Sequence, residues 1–177
     1  MKRFYSGLAF AAALGLGASV YAASHADIAL EYPSNYKTEF TNYFTGDRQN
    51  GHQIISLYAN DIAVNGARSD GKVPIGSVIV GELTPAVKDA DGEALESSLG
   101  HLISSGEVTT IVMMKRIAGN DDRYPDELKV GDWEFEVFSP AGENLGKDTT
   151  ACRECHHGHE DTEFMYSLEH LAMKVVE

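Results

Sequence analysis

Alternating apolar and polar residues predict a β-sheet in the second half of the chain. In the clearest segment, the apolar residues Trp133, Phe135 and Val137 alternate with acidic ones and are expected to face a core. The acidic residues, Glu134 and Glu136, are expected to face water. A strand with one buried and one solvated face is typical of an antiparallel sheet.

Three further segments have the composition of strands: residues 52–59, 77–83 and 108–116. Each is a short run in which apolar and β-branched residues dominate. The first ends at a pair of turn-forming residues, Asn60 and Asp61. Together with the segment around Trp133, they predict four strands of one sheet.

Two other segments have helical spacing. In residues 34–44 aromatic side chains recur at i, i+4 and i+7 after Pro33, which predicts a short helix with an aromatic face in the core. Apolar residues spaced through residues 164–175 predict a C-terminal helix, capped by Asp161 or Thr162. The predicted fold class is therefore α+β and mostly β, with an antiparallel sheet packed against a few helices.

The N-terminus has the pattern of a secretory signal peptide. Two basic residues precede an apolar, small-residue run, and small residues then favour cleavage after Ala22 or after Ala26. The alternative is an uncleaved anchor, although the run is short for a membrane span. The sequence predicts a signal peptide over residues 1–26, a single domain over residues 27–177 and a periplasmic location.

The chain is strongly acidic, with 14 Lys and Arg against 27 Asp and Glu and a net charge of −13. Cleavage would remove two basic residues and no acidic one, so the net charge of the mature chain would be −15. Such a charge repels nucleic acid and anionic lipid, which excludes both as partners. It is compatible with a soluble acidic surface or with steering towards a basic redox partner protein.

The most specific motif is a CxxCH pentapeptide formed by Cys152, Cys155 and His156, which contains the only two cysteines of the chain. In an exported protein this spacing indicates one covalent haem c, because two thiols on one helical turn can add to the haem vinyl groups and the histidine can ligate the iron. The alternatives are a redox or inert disulfide and a zinc site. The zinc site would add two ligands from the histidines His156, His157 and His159.

Four features follow one another along the chain. A mid-chain Pro-Ile-Gly-x-x-x-Val-x-Glu stretch begins at Pro74, the Trp133 strand comes next, and the CxxCH motif is followed by Asp161-x-x-Phe164. In this order they resemble the cytochrome P-460 family, which includes the hydroxylamine-oxidising cytochrome P-460 and the NO-binding cytochrome c′-beta. The resemblance covers roughly residues 32–171.

The resemblance implies a fold, an assembly and a cofactor site. The family has an antiparallel β-sheet packed with helices, is usually a homodimer and holds a five-coordinate haem on a proximal histidine. By the match of motifs, Cys152 and Cys155 would form the thioether bonds and His156 would be the proximal iron ligand.

Gly81 occupies the position at which the hydroxylamine oxidases of the family cross-link a lysine to the haem. The resemblance therefore implies that this chain has no cross-link. Alternative donors away from the matched position are Lys72, Lys88 and Lys115.

Two further positions imply an apolar distal pocket. Met114 matches the position of a distal carboxylate of the oxidases and Ile55 lies near that of a distal arginine, with Lys115 and Glu82 as alternative polar groups. An apolar pocket favours a small uncharged ligand such as NO or CO, without enzymatic activity. The alternatives are electron transfer, with Met113 or Met114 as a sixth iron ligand, and oxidation of hydroxylamine or action on NO.

Overall fold

The computed structural model describes residues 28–48 and 52–173. Its strands form one antiparallel sheet in the order β1-β2-β3-β4-β5, so each strand pairs with its neighbours in sequence. They are β1 (Thr41–Arg48), β2 (Gln53–Ala59), β3 (Val78–Pro85), β4 (Thr110–Arg116) and β5 (Trp133–Phe138). The predicted α+β class and the four predicted strands, β2 to β5, are confirmed.

The helices among the described residues are short, with 4 to 10 residues each. They are α1 (Tyr36–Glu39), α2 (Asp61–Asp70), α3 (Thr150–His157) and α4 (Leu168–Ala172), with 3-10 turns at Asn120–Arg123, Asp126–Leu128 and Glu160–Thr162. Among the described residues, no helix has the length and apolarity to cross a membrane. The predicted signal peptide lies outside the described residues.

Helix α2 was not predicted, because Asn60 was interpreted only as the end of a strand. Its side chain accepts a hydrogen bond of 3.1 Å from the N–H of Ala63, as a helix N-cap does. Gly71 has φ 73°, the left-handed conformation that commonly follows a helix. Ala63 and Ala67 are fully buried against the sheet, so α2 covers one end of it.

The prediction of a helix over residues 34–44 was wrong for most of its length. Only Tyr36–Glu39 is helical, and the chain then enters β1, which pairs with β2. Tyr36 packs on one side of the sheet and Tyr43 on the other, so the aromatic residues do not share a helical face. Strand pairing here overrides the helical spacing.

The predicted C-terminal helix was also wrong in its extent and its cap. Residues Glu163 and Phe164 have φ values of 55° and 60°, which an α-helix does not allow. Within the described residues of this segment, regular helix is limited to Leu168–Ala172, and the predicted caps lie in a preceding 3-10 turn. Val175, the last residue of the predicted helix, lies outside the described residues.

The sheet has two different faces. Because successive residues of a strand point to opposite faces, Ile55, Gly81 and Met114 share one face. The core on this face includes Cys152 of α3, and we call it the α3 face. Glu82 points to the opposite face, where an aromatic cluster covers the sheet.

The β5 prediction was correct for the apolar residues and wrong for one acidic residue. Trp133 and Phe135 are buried on the α3 face, whereas Val137 on the same face is half-buried. Glu134 is only 4% exposed, although it was expected to face water. It is buried because Arg153 of α3 lies against it, with 2.9 Å between Nη2 and Oε1.

On the opposite face, Glu82 joins α1 to the sheet. Its carboxylate accepts hydrogen bonds from the hydroxyls of Tyr36 at 2.6 Å and Tyr58 at 3.3 Å, and it pairs with Lys37 at 2.5 Å. Burial by itself would raise the pKa of Glu82, but the bonds from Lys37, Tyr36 and Tyr58 outweigh burial and leave the pKa below its ordinary value.

We expect Glu82→Gln to lower the free energy of unfolding by about 1.5–3 kcal/mol at neutral pH, the usual worth of hydrogen bonds to a charged group. Because the folded pKa is lower than the unfolded one, this stabilisation is present at neutral pH and is lost as the pH falls through the folded pKa. Denaturant unfolding between about pH 7 and about pH 3 should show the difference from wild type shrink. The control is Glu107→Gln at an exposed site; an equal loss there would contradict the prediction.

Candidate haem-binding site

Helix α3 carries the two cysteines and the histidine of the CxxCH motif, with Cys152 about one helical turn before Cys155 and His156. The carboxylate of Asp148 accepts a 2.9 Å hydrogen bond from the N–H of Thr150, which stabilises the start of the helix. Both cysteines are free thiols; Cys152 is half-buried and Cys155 is exposed. Burial raises the pKa of the Cys152 thiol, and the positive charge of Arg48 opposes that rise.

The imidazole of His156 is oriented by a backbone carbonyl. Its Nδ1–H donates a hydrogen bond of 2.6 Å to the carbonyl oxygen of Phe164. The other nitrogen, Nε2, therefore keeps its lone pair, which is the form that a metal ligand needs. Burial lowers the pKa of His156 and so favours the neutral ring.

Aromatic rings hold His156 on two sides. The centroid of the imidazole lies 5.0 Å from that of Phe135 and 5.1 Å from that of Tyr166. The hydroxyl of Tyr166 in turn donates a 2.8 Å hydrogen bond to the carbonyl oxygen of Cys155. The ring is therefore fixed between the sheet and the chain that follows α3.

The half of the α3 face around Gly81 is apolar and only partly covered by the described residues. Three half-buried side chains, those of Ile55, Leu57 and Val112, converge over Gly81. A Cβ atom at Gly81 would lie 2.9 Å from Val112 Cγ2 and 3.2 Å from Ile55 Cδ1. The glycine thus lets these three side chains pack closely over the strand, and we call the half-buried apolar surface that they form the apolar cradle; it fits one side of the flat, apolar body of a haem.

Few polar side chains lie on the half of the α3 face around Gly81. The strand positions that share the face with Gly81 include Arg48, Gln53 and Thr110, and none of the described ones is an acid or a histidine. The positive charge of Arg48 is close enough to oppose the rise that burial causes in the pKa of Cys152 and to add to the fall that burial causes in the pKa of His156. Its guanidinium can stabilise an anion but cannot accept a proton.

The predicted distal candidates Ile55, Gly81 and Met114 lie on the same sheet face as Cys152. Met114 is only 8% exposed and packs in the core. The alternative groups Lys115 and Glu82 point to the opposite face, because each adjoins a residue of the α3 face in its strand.

The two other histidines of the motif region do not join His156 as ligands. His157 is exposed and its Nδ1 lies 2.9 Å from the carbonyl oxygen of Lys129, while the ring of His159 stacks at 4.0 Å on Tyr166. In the part of the chain that the structure describes, no group of three or more His, Cys, Asp or Glu side chains is placed to hold a metal ion. The ligand set of the alternative zinc site is not assembled.

Sequence reasoning missed the residues that hold α3 in place. Arg153, a variable position of the motif, is 1% exposed; it pairs with Glu134 and lies 3.3 Å above the ring of Tyr124. The carbonyl of Phe164 was missed as well, because backbone acceptors leave no mark in a sequence. An acidic residue on a strand with a buried face, together with an arginine in the motif, was the available signal for the ion pair.

The family model described as Cytochrome P460 matches residues 33–167. The chain belongs to the cytochrome P460 family. It is therefore a haem-binding cytochrome, and the predicted family is confirmed. No curated protein matches this cytochrome.

Proposed function

We propose that this cytochrome carries one covalent haem c in the periplasm and binds a small uncharged ligand such as NO. Thioether bonds to Cys152 and Cys155 would attach the haem, with His156 as its proximal ligand. The apolar cradle around Gly81 is the observation that carries the proposal, because it lies on the same sheet face as Phe135, against which the ring of His156 packs. The homodimer implied by the family resemblance is part of the same proposal.

The residues of the chain have separate roles in this proposal. A bound haem supplies an iron that takes a further ligand and changes valence by one electron. His156 would hold the iron through Nε2, because its Nδ1–H donates to the carbonyl of Phe164. Once a haem covers them, Ile55, Leu57 and Val112 would line the cradle with apolar groups and favour an uncharged ligand over an ionic one.

Oxidation of hydroxylamine, the second function that the family suggests, is less well supported by this site. That reaction releases protons, and a general base must lie within hydrogen-bond reach of them. Near Gly81, the described strands of this face offer Arg48, Gln53 and Thr110 as polar side chains, and none of these is a base at neutral pH. The exposed His170 of α4 lies at the β1 side of this face, where its ring stacks on Phe44 with 4.5 Å between the centroids. One-electron transfer remains compatible with the site, because it needs no base.

We expect the haem-loaded protein to have a high-spin reduced spectrum, an ordinary Soret band and rapid binding of NO. The physical reason is that the cradle is apolar and that Met114 is packed in the core, where it does not serve as a sixth ligand. Visible spectra of the oxidised, the reduced and the NO-treated reduced protein measure this. A strongly red-shifted Soret band, a lysine–haem peptide in a digest, or hydroxylamine-dependent turnover with an electron acceptor would each contradict the proposal.

A further inference from the structure

The carbonyl that binds His156 is held in an unusual stretch of backbone. Glu163 and Phe164 are consecutive non-glycine residues with φ values of 55° and 60°. Such residues rarely adopt this region, and two in succession cost free energy that the surroundings must offset. This conformation brings the Phe164 carbonyl to 2.6 Å from Nδ1 of His156.

Two side chains from the sheet hold this turn. The indole N–H of Trp133, a fully buried residue, donates a 2.9 Å hydrogen bond to the carbonyl of Glu163. Arg116 forms an ion pair with the carboxylate of Glu163 and also donates to the carbonyl of Val73. Both anchors act on Glu163, the residue directly before Phe164, whose carbonyl binds His156.

The ring of Phe164 fixes the other end of the turn. It packs over Gly131, where an added Cβ atom would lie 2.6 Å from the ring. Gly131 itself has φ 67°, so a side chain is disfavoured there by both conformation and space. The turn is thus held through the carbonyl and the side chain of Glu163 and through the ring of Phe164.

We propose that Trp133 and Glu163 are positioning residues that keep the Phe164 carbonyl on His156 and thereby set the donor strength of the iron ligand. The inference rests on the proposed function, since it concerns His156 as the ligand of a haem. A strong hydrogen bond from Nδ1–H makes the imidazole a stronger donor, and a stronger donor favours the oxidised iron. The turn therefore lowers the reduction potential of the haem.

A backbone carbonyl cannot be removed by substitution, so the test acts on its anchors. Trp133→Phe keeps an aromatic ring and removes only the indole N–H, while Glu163→Gln removes the ion pair at a partly accessible site. For each haem-loaded variant we would measure the midpoint potential and the iron–histidine stretching frequency of the reduced protein. We expect the reduction equilibrium constant to rise about tenfold, or about 59 mV for one electron. The stretching frequency should fall.

Two matched controls separate the loss of positioning from a general loss of stability and from a simple change of charge. Tyr43→Phe removes the 2.9 Å hydrogen bond to Ser167 in the same core and leaves the Glu163–Phe164 turn in place. Glu160→Gln removes the same charge as Glu163→Gln from an exposed position close by. Both controls should keep the wild-type potential and stretching frequency.

The outcomes distinguish this inference from the function on which it rests. If the wild-type protein matures without covalent haem, the proposed function fails, and this inference fails with it. If haem is attached but both variants keep the wild-type potential and frequency, the inference alone is overturned. Glu163→Gln decides the question even if the core does not tolerate Trp133→Phe.

Discussion

Replacing both Cys152 and Cys155 by serine is expected to abolish covalent haem attachment. A serine hydroxyl does not form the thioether bond that a thiol forms with a haem vinyl group. The structure leaves both thiols free and one of them exposed, so no disulfide competes for them. Intact mass of the exported, denatured protein should show the haem adduct in the wild type and its complete loss in the double variant.

The single variants and a neighbouring histidine give the controls. Cys152→Ser and Cys155→Ser should each keep at most one thioether bond. His157→Ala should keep the full adduct, because His157 is exposed and lies against the backbone of Lys129. Haem that survives denaturation of the double variant would show that a residue outside the motif attaches it. The lysines named above would then have to be tested.

The sheet could be predicted from the sequence because its signal is local. The alternation of Trp133, Phe135 and Val137 with acidic residues identifies β5 without knowledge of its partners. By contrast, β1 depends on its pairing with β2. The aromatic residues of β1 satisfy a helical spacing equally well, and only the partner strand decides between the two.

The residues that would bind the haem could be predicted from the sequence, but the groups that position those residues could not. The CxxCH motif identifies Cys152, Cys155 and His156 because the spacing itself has a chemical purpose. The acceptor for His156 is the backbone carbonyl of Phe164, eight residues further on. The carbonyl of the preceding residue, Glu163, is held by Trp133, thirty residues earlier in the chain. Contacts of this kind depend on the folded arrangement and leave no pattern in the residue types.

Glu134→Gln is expected to lower the free energy of unfolding of the haem-loaded protein by about 3–5 kcal/mol, because it leaves a buried arginine without its counter-charge. Arg153 is 1% exposed, and its guanidinium is bound at 2.9 Å to Glu134 and stacked on Tyr124. The same carboxylate accepts a 2.8 Å hydrogen bond from the Tyr124 hydroxyl, and the amide of a glutamine keeps only one of its two acceptor oxygens. Denaturant unfolding followed by circular dichroism measures the loss.

A second acid of the same strand and a double variant complete the test. Glu136→Gln removes the same charge from a half-exposed position and should change stability by less than about 0.5 kcal/mol. Replacing Glu134 by Leu and Arg153 by Met together should recover much of the stability, since an apolar pair removes the buried charges. Haem attachment should persist in the double variant, because position 153 is a variable site of the motif. If Glu134→Gln and Glu136→Gln prove equally stable, the buried ion pair does not hold α3 to the sheet, and the packing of Cys152 and His156 on Phe135 must do so alone.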